Sequence, residues 1–265
     1  MTRTGLAREL AKLKSYNYFV AYIDILGARK FMEQDNDNFL NDLNSIYFDA
    51  VGDVSMTNWA TGKEIFIKIF SDNILIAIQT AKNDINREAK LEKIINLVGN
   101  FYNNILRHGY LARGAITEGK FYKDENNVFV YGKALTDAVN MEEENAIYPR
   151  IIAKKEIRDI VPQYFLEGND YFYTLNPFLF LGLFDVNIYK PHLIKMLQNS
   201  RKDNKIKQKI MWMVNYFNEY NRVNQMRGTT SFEFITEEEI KDALNSISET
   251  KNKKASDKIG ETVNV

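Results

Sequence analysis

The segment from Glu64 to Ile78 constrains this chain more than any other. Ile65-Phe-Ile-Lys-Ile69 and Ile74-Leu-Ile-Ala-Ile78 are short apolar, β-branched runs, joined by the tight polar connector Ser71-Asp72-Asn73. Asn and Asp tolerate left-handed turn geometry, so the two runs are predicted to form an antiparallel hairpin. Tyr18-Phe-Val-Ala-Tyr-Ile23 is another buried-strand pattern, ending at Asp24 and followed by Gly27. Phe39, Leu43, Ile46, Tyr47 and Ala50 then recur at helical spacing. A second helix carries Leu91, Ile94, Ile95, Val98, Phe101, Tyr102 and Ile105, and stops at His108-Gly109. Strands follow at Tyr110 to Ile116 and Val128 to Tyr131, then a helix from about Ala134. The order β-α-β-β-α-β-β-α predicts an α+β fold, a ferredoxin-like antiparallel sheet with helices on one face.

Beyond Pro149 the pattern loosens into a mainly helical C-terminal extension. Ile151 to Ile160 reads as a short helix, and Tyr171 to Phe184 as an aromatic strand or packing segment. Lys205 to Tyr220 is amphipathic, with Ile206, Ile210, Met213, Val214 and Phe217 on one face. That face either packs within the monomer or extends an interface. Thr236 to Ser248 reads as a helix opened by a Thr236/Glu239 capping box. The expected organisation is a catalytic domain over 1–150, an extension over 151–248 packed on it, and a disordered polar tail over 249–265.

Composition narrows the chemistry. In 265 residues, Lys plus Arg and Asp plus Glu are 35 each, so no basic excess exists to coat nucleic acid. There are 0 cysteines, which removes disulfides, thiol nucleophiles and zinc–thiolate sites. Only His108 and His192 supply imidazole, both read as structural, so any bound metal must rely on oxygen. The N-terminus is charged throughout, unlike a secretory signal. The longest apolar run, Phe178 to Phe184, is far short of the roughly 20 residues that span a bilayer. No membrane association and a cytoplasmic location are expected.

Two carboxylates stand out. Asp24 sits where a strand runs out and Asp72 at a hairpin tip, and pairing of those elements would bring them together. Hard oxygen donors on rigid strand ends suit Mg2+ or Mn2+. The amides of Ile25, Leu26 and Gly27 then lead toward a helix, an arrangement that could cradle a phosphate. A plainer account also exists, in which Asp24 is a helix cap and Ser71-Asp72-Asn73 an ordinary turn. The runs Glu142 to Glu144 and Glu237 to Glu239 read as solvated faces or helix N-terminal charges.

Five segments in order carry a family resemblance: Tyr22-Ile-Asp24-Ile-Leu-Gly27, Ile69-Phe-Ser-Asp72-Asn73, Ala112-Arg-Gly-Ala-Ile-Thr-Glu-Gly119, Val130-Tyr-Gly132 and Ala138-Val-Asn-Met-Glu142. Together they resemble the catalytic domain of class III nucleotidyl cyclases over roughly residues 15 to 150. The resemblance implies a nucleoside triphosphate substrate and two divalent ions, held by Asp24, Asp72 and the backbone carbonyl of Ile25. The ions would activate the ribose 3′-hydroxyl against the α-phosphate, with release of pyrophosphate. It also implies a head-to-tail homodimer with active sites at the interface.

The chain departs from that family's pattern at the base-reading positions, where Phe66 and Phe129 stand in place of polar residues. Apolar residues argue against the adenine and guanine codes and could narrow the pocket toward a pyrimidine, unless both belong to the core. The family's transition-state arginine is also missing, its pair of positions being Thr136 and Asn140. Arg113 is the first candidate substitute, ahead of Arg150, Lys133 or a C-terminal lysine, with a structural ion pair as its alternative role. These features resemble the pyrimidine cyclases of the Pycsar antiphage system. That resemblance implies a cytoplasmic uridylate or cytidylate cyclase, uridylate ahead, whose cyclic nucleotide is read by a separate effector. An adenylate or guanylate cyclase with unusual base contacts, and an inactive nucleotide-binding or dimerisation module, stay open.

Overall fold

The computed structural model describes residues 13–62, 65–124, 126, 129–168, 170–180, 186–226 and 233–245. The chain divides into two compact units, Met1–Tyr189 and Lys190–Val265. In the first, β1 (Tyr16–Ile25) leads into the single-turn α1 (Ala28–Met32) and the long α2 (Asp37–Thr61). The hairpin β2 (Ile65–Phe70) and β3 (Asn73–Gln79) follows, then α3 (Arg87–Arg107), β4 (Ala112–Lys123), β5 (Val130–Tyr131) and α4 (Lys133–Asn145). Next come β6 (Ile151–Ala153), α5 (Lys155–Arg158), β7 (Phe165–Glu167) and β8 (Tyr173–Leu175), with 3-10 turns at Pro162–Tyr164 and Pro177–Phe180.

These strands form one open sheet in the order β2-β3-β1-β4-β6-β8-β7, with β5 against β4. All pairings are antiparallel except that of β4 with β6. The fold is therefore mixed α+β, as the element order anticipates, and β2-β3-β1-β4 is the ferredoxin-like core. Strand parity divides the core residues between two faces. Tyr18, Val20, Tyr22, Phe66, Leu75, Ala77 and Phe121 face one side, where Ala134, Ala138 and Met141 of α4 cover them. On the other side Arg87 of α3 lies over the Phe19 ring and pairs with Glu118 at 2.5 Å. Leu91, Ile94, Ile95, Val98 and Ile105 bury that helix. Helices therefore cover both faces of the sheet and not one, because the buried residues of β1 point to both sides.

Several elements differ from expectation. The hairpin forms, but Ser71, not Asn73 or Asp72, takes the left-handed conformation (φ 56°). β4 runs to Lys123 because β1 pairs it from Ile25↔Ala112 to Tyr16↔Phe121 and β5 pairs its last two residues, Tyr122 and Lys123. Ile151 to Ala153 is a strand rather than the start of a helix, since all three residues are buried and pair with β4 in parallel. Residues 151–175 thus extend the sheet instead of starting a helical extension. Val128, part of the Val128 to Tyr131 strand expectation, lies outside the described residues, as do residues 1–12, the end of the Phe178 to Phe184 run and the 249–265 tail.

In the second unit, α6 (Val186–Asn199) continues from the first, and α7 (Asn204–Met226) and α8 (Glu237–Asn245) follow. Ile210, Met213, Val214 and Phe217 are buried on α7 and Ile206 is exposed. The Thr236 capping box forms: Glu239 N–H donates to Thr236 Oγ1 at 3.2 Å and Thr236 N–H to Glu239 Oε2 at 2.8 Å. Asn218 holds Ile235 through both of its amide groups, at 2.8 and 2.9 Å. Among the described residues no helix is long and apolar enough to cross a membrane.

Candidate active site

Register builds the site. Asp24 stands opposite Asn73 on β3 and opposite Arg113 on β4, so Phe70, Asn73, Asp24 and Arg113 form one row across the α4-covered face. The β2–β3 turn is fixed from three directions. Ile25 N–H donates to the Asp72 carbonyl at 3.2 Å, Tyr47 Oη to the Ser71 carbonyl at 3.1 Å, and Tyr22 Oη to Asn73 Oδ1 at 2.6 Å. Asn73 Nδ2 in turn donates to Asp72 Oδ1 at 3.3 Å. Asp24 and Asp72, far apart in sequence, therefore meet at one end of the central strands, where each carboxylate feels the charge of the other.

The electrostatics follow from this convergence. Burial, then the Asp72 charge, pushes Asp24 up to about 6, against the opposing pull of Arg113. Arg113 Nε lies 3.3 Å from Asp24 Oδ2 and forms an ion pair with Glu142 of α4. Glu142 is only 2% exposed, and burial raises it to about 7, with Arg113 again opposing. Its Oε1 faces Arg113 without aligned hydrogen-bond geometry. The Glu142 to Glu144 run is thus not uniformly solvated. Ala134, Ala138, Met141 and Glu142 recur at helical spacing, and that period places Glu142 on the buried side.

The donor set suits a hard divalent cation, because two carboxylates that must otherwise repel or share a proton are held together by backbone bonds. Among the described residues no cluster of three or more His, Cys, Asp or Glu could hold a metal. Asp24 and Asp72 would need carbonyl, water or substrate oxygens to complete coordination, and the Ile25 carbonyl lies beside them in sequence.

The phosphate cradle is not as expected. The Ile25 amide is bonded to the Asp72 carbonyl and the Leu26 amide to the Leu111 carbonyl at 2.8 Å, so both are engaged within the sheet. Gly27 makes the left-handed turn (φ 82°) into α1, a helix too short to carry much dipole. Phe66 and Phe129 do not meet. Phe66 is 4% exposed in the core, its ring 6.0 Å from that of Phe121, whereas Phe129 is exposed between Tyr122 and Tyr131.

Of the substitute cations among the described residues, Arg113 alone stands in the Asp24 row; the lysines of 246–265 lie outside the described residues. Arg150 is buried against Asp170 and the Asn145 carbonyl, and Lys133 binds Asp137 at 2.6 Å. Sequence reasoning missed Glu142, Tyr22, Tyr47, Asn73 and the β2 residues Lys68 and Phe70. Counting alternate residues from Asp24 and from Asn73 across the hairpin would have found most of them.

No protein-family model matches this sequence, and no curated protein sequence does. Solved structures give weak likenesses. The adenylyl cyclase CyaB from P. aeruginosa aligns at 11% identity and TM-score 0.47, covering 64% of this chain and 100% of that one. The guanylyl cyclase domain of the RhoGC fusion protein from Blastocladiella emersonii aligns at 13% and 0.47, covering 61% and 97%. The guanylate cyclase domain of RhGC from Catenaria anguillulae in complex with GTP aligns at 13% and 0.45, covering 62% and 98%. Identities and scores this low leave function to be read from this chain's own side chains.

Proposed function

We propose that the chain is a nucleotidyl cyclase that converts a nucleoside triphosphate to its 3′,5′-cyclic nucleotide and pyrophosphate. The observation that carries this reading is the convergence of Asp24 and Asp72 on adjoining strand ends, locked by the Ile25–Asp72 backbone bond. Divalent ions bound there would lower the pKa of the ribose 3′-hydroxyl and neutralise triphosphate charge. The chain's own residues do the positioning. Tyr47, Tyr22 and Asn73 fix the turn that carries Asp72, and Arg113 holds the Asp24 carboxylate from the opposite side.

Within this reading we favour a pyrimidine, uracil ahead of cytosine. With Phe66 in the core, this preference rests on the lack of polar purine-reading residues at Phe66 and Phe129 and on the resemblance to antiphage pyrimidine cyclases. Exposed aromatic surface beside the carboxylates would stack any base. The Phe70 ring is 43% exposed and lies 6.4 Å from the Tyr22 ring, which offers a base a stacking face. Phe129 adds exposed aromatic surface on the β4–β5 connection. A uridylate cyclase of this kind would make a messenger for a separate effector, in keeping with the resemblance to antiphage pyrimidine cyclases. A nucleotide-binding module without turnover is favoured by one observation, the engagement of Arg113 by Asp24 and Glu142.

Incubating the purified protein with each nucleoside triphosphate and Mn2+, and resolving products by chromatography, separates these readings. Cyclic UMP or CMP supports the reading, and cyclic AMP or GMP overturns the pyrimidine choice. Failure to form any cyclic product leaves the inactive module. Asp24→Ala and Asp72→Ala should each abolish turnover in a folded protein, and activity surviving either change would reject the metal assignment.

A further inference from the structure

Helix α2 is apolar on two sides. Phe39, Leu43, Ile46, Ala50 and Val54 are buried, yet Phe48, Val51, Met56 and Trp59 are exposed, Phe48 at 78% and Trp59 at 86%. A helix apolar all round is normally enclosed by something larger, and a contiguous exposed apolar stripe marks an interaction surface. The same helix carries Asp37, Asp42, Asp49 and Asp53 and no Lys or Arg. Helical spacing places Asp49 and Asp53 beside the stripe, on the side toward α3.

There an open groove of about 460 Å³ runs between α2 and α3, with Phe48 and Phe180 as apolar walls. Its charged groups are two carboxylates and one guanidinium, among three asparagines. Asp49 Oδ2 receives one bond, from Asn104 at 3.0 Å, and Asp53 Oδ2 a long one from Asn100 at 3.5 Å. Asn103, 4% exposed, also lines the groove; its Nδ2 donates to the Pro177 carbonyl, and its buried Oδ1 has no partner among the described residues. Arg107 is a cation at the rim, set against two carboxylates.

We propose that the outer face of α2 and the α2–α3 groove dock an amphipathic basic helix of a partner protein. Its apolar face covers Phe48 and Trp59, and its Lys or Arg side chains reach Asp49 and Asp53. Charge decides against a second copy of this face: two α2 helices brought together would oppose their aspartates, with no basic residue on either helix to pair them. An amphipathic helix in a groove is a common recognition mode, and two carboxylates on a helix without Lys or Arg, against one guanidinium, call for a cationic partner. The proposal does not depend on nucleotide turnover.

Trp59 is one of two tryptophans in the chain, so Trp212→Phe leaves it as sole reporter. The full-length protein is titrated with a synthetic Leu/Lys amphipathic helix and, separately, with a Leu/Glu helix of equal length, following Trp59 emission. The Leu/Lys peptide should shift the emission to the blue and the Leu/Glu peptide should not. Asp49→Lys with Asp53→Lys should weaken Leu/Lys binding at least tenfold, and Asp49→Asn with Asp53→Asn should weaken it less, both proteins retaining their far-UV circular dichroism. Equal binding of both peptides, or binding indifferent to these substitutions, overturns the proposal. So does Trp59 emission already blue-shifted without peptide that moves to the red on dilution to monomer, or on removal of residues 246–265. Those two results would assign the face to a second copy or to the chain's own C-terminus.

Discussion

At the residue scale, Asp24 combines functional promise with a cost to folding. Its pKa rises from 3.8 to about 6, so its carboxyl is harder to ionise in the folded chain than in the unfolded one. A group raised in this way withdraws stability as pH climbs past the unfolded value, and the loss is complete above the folded value. Without divalent ions the protein should therefore lose on the order of 2–3 kcal/mol from this carboxyl between about pH 4 and pH 7. Thermal melts across that range should show the loss, and Mn2+ should reverse the Asp24 share of it. Asp24→Asn should remove that share and eliminate Mn2+ binding, leaving the loss from Glu142, which burial raises to about 7. Glu142 acts one step further out. It shares Arg113 with Asp24, so Glu142→Gln should leave the guanidinium to Asp24 alone and weaken Mn2+ affinity by roughly tenfold, about 1.4 kcal/mol. Calorimetric titration with Mn2+ checks this without nucleotide, and unchanged affinity would make Glu142 merely structural. Asp24 was legible because it ends an apolar run. Glu142 was not, because a row of three glutamates resembles a solvated face until the helical period is counted from Ala134.

At the element scale, local sequence chemistry located most elements, and long-range pairing decided the remainder. The capping box of α8 and the β2–β3 hairpin depend on residues close in sequence, which is why both were visible. β6 depends on β4, distant in sequence, and three residues cannot display a period that separates strand from helix. Cradle amides failed for the same reason: only the sheet's register shows that Ile25 and Leu26 are already bonded. The β5–α4 junction makes a sharp prediction. Gly132 has φ 149°, and a Cβ there would lie 2.3 Å from the Lys120 carbonyl oxygen. Gly132→Ala should cost about 2–5 kcal/mol, read from urea unfolding, since neither the conformation nor the backbone contact can yield cheaply. Because α4 carries Glu142, the same substitution should also weaken Mn2+ binding.

At the scale of the whole molecule, zero net charge gives no overall attraction to a long polyanion and places no bar on a single triphosphate. The difficulty lies in the cation needed for the leaving pyrophosphate. Arg113 is engaged by two carboxylates, Arg150 by Asp170, and Lys133 by Asp137. If the proposed reaction occurs, a lysine or arginine that lies away from the Asp24 row in its own chain can reach that row from a second copy, consistent with the interfacial site that the family resemblance implies. Each site would then take its metal carboxylates from one chain and its cation from the other. Specific activity should fall when the wild-type protein is diluted below its dimer dissociation constant. Adding excess Asp24→Ala protein to the diluted enzyme should restore it, because the variant lacks metal ligands yet still supplies the cation to a wild-type partner. An activity indifferent to dilution, or depressed by the variant, would mean that one chain assembles the whole site.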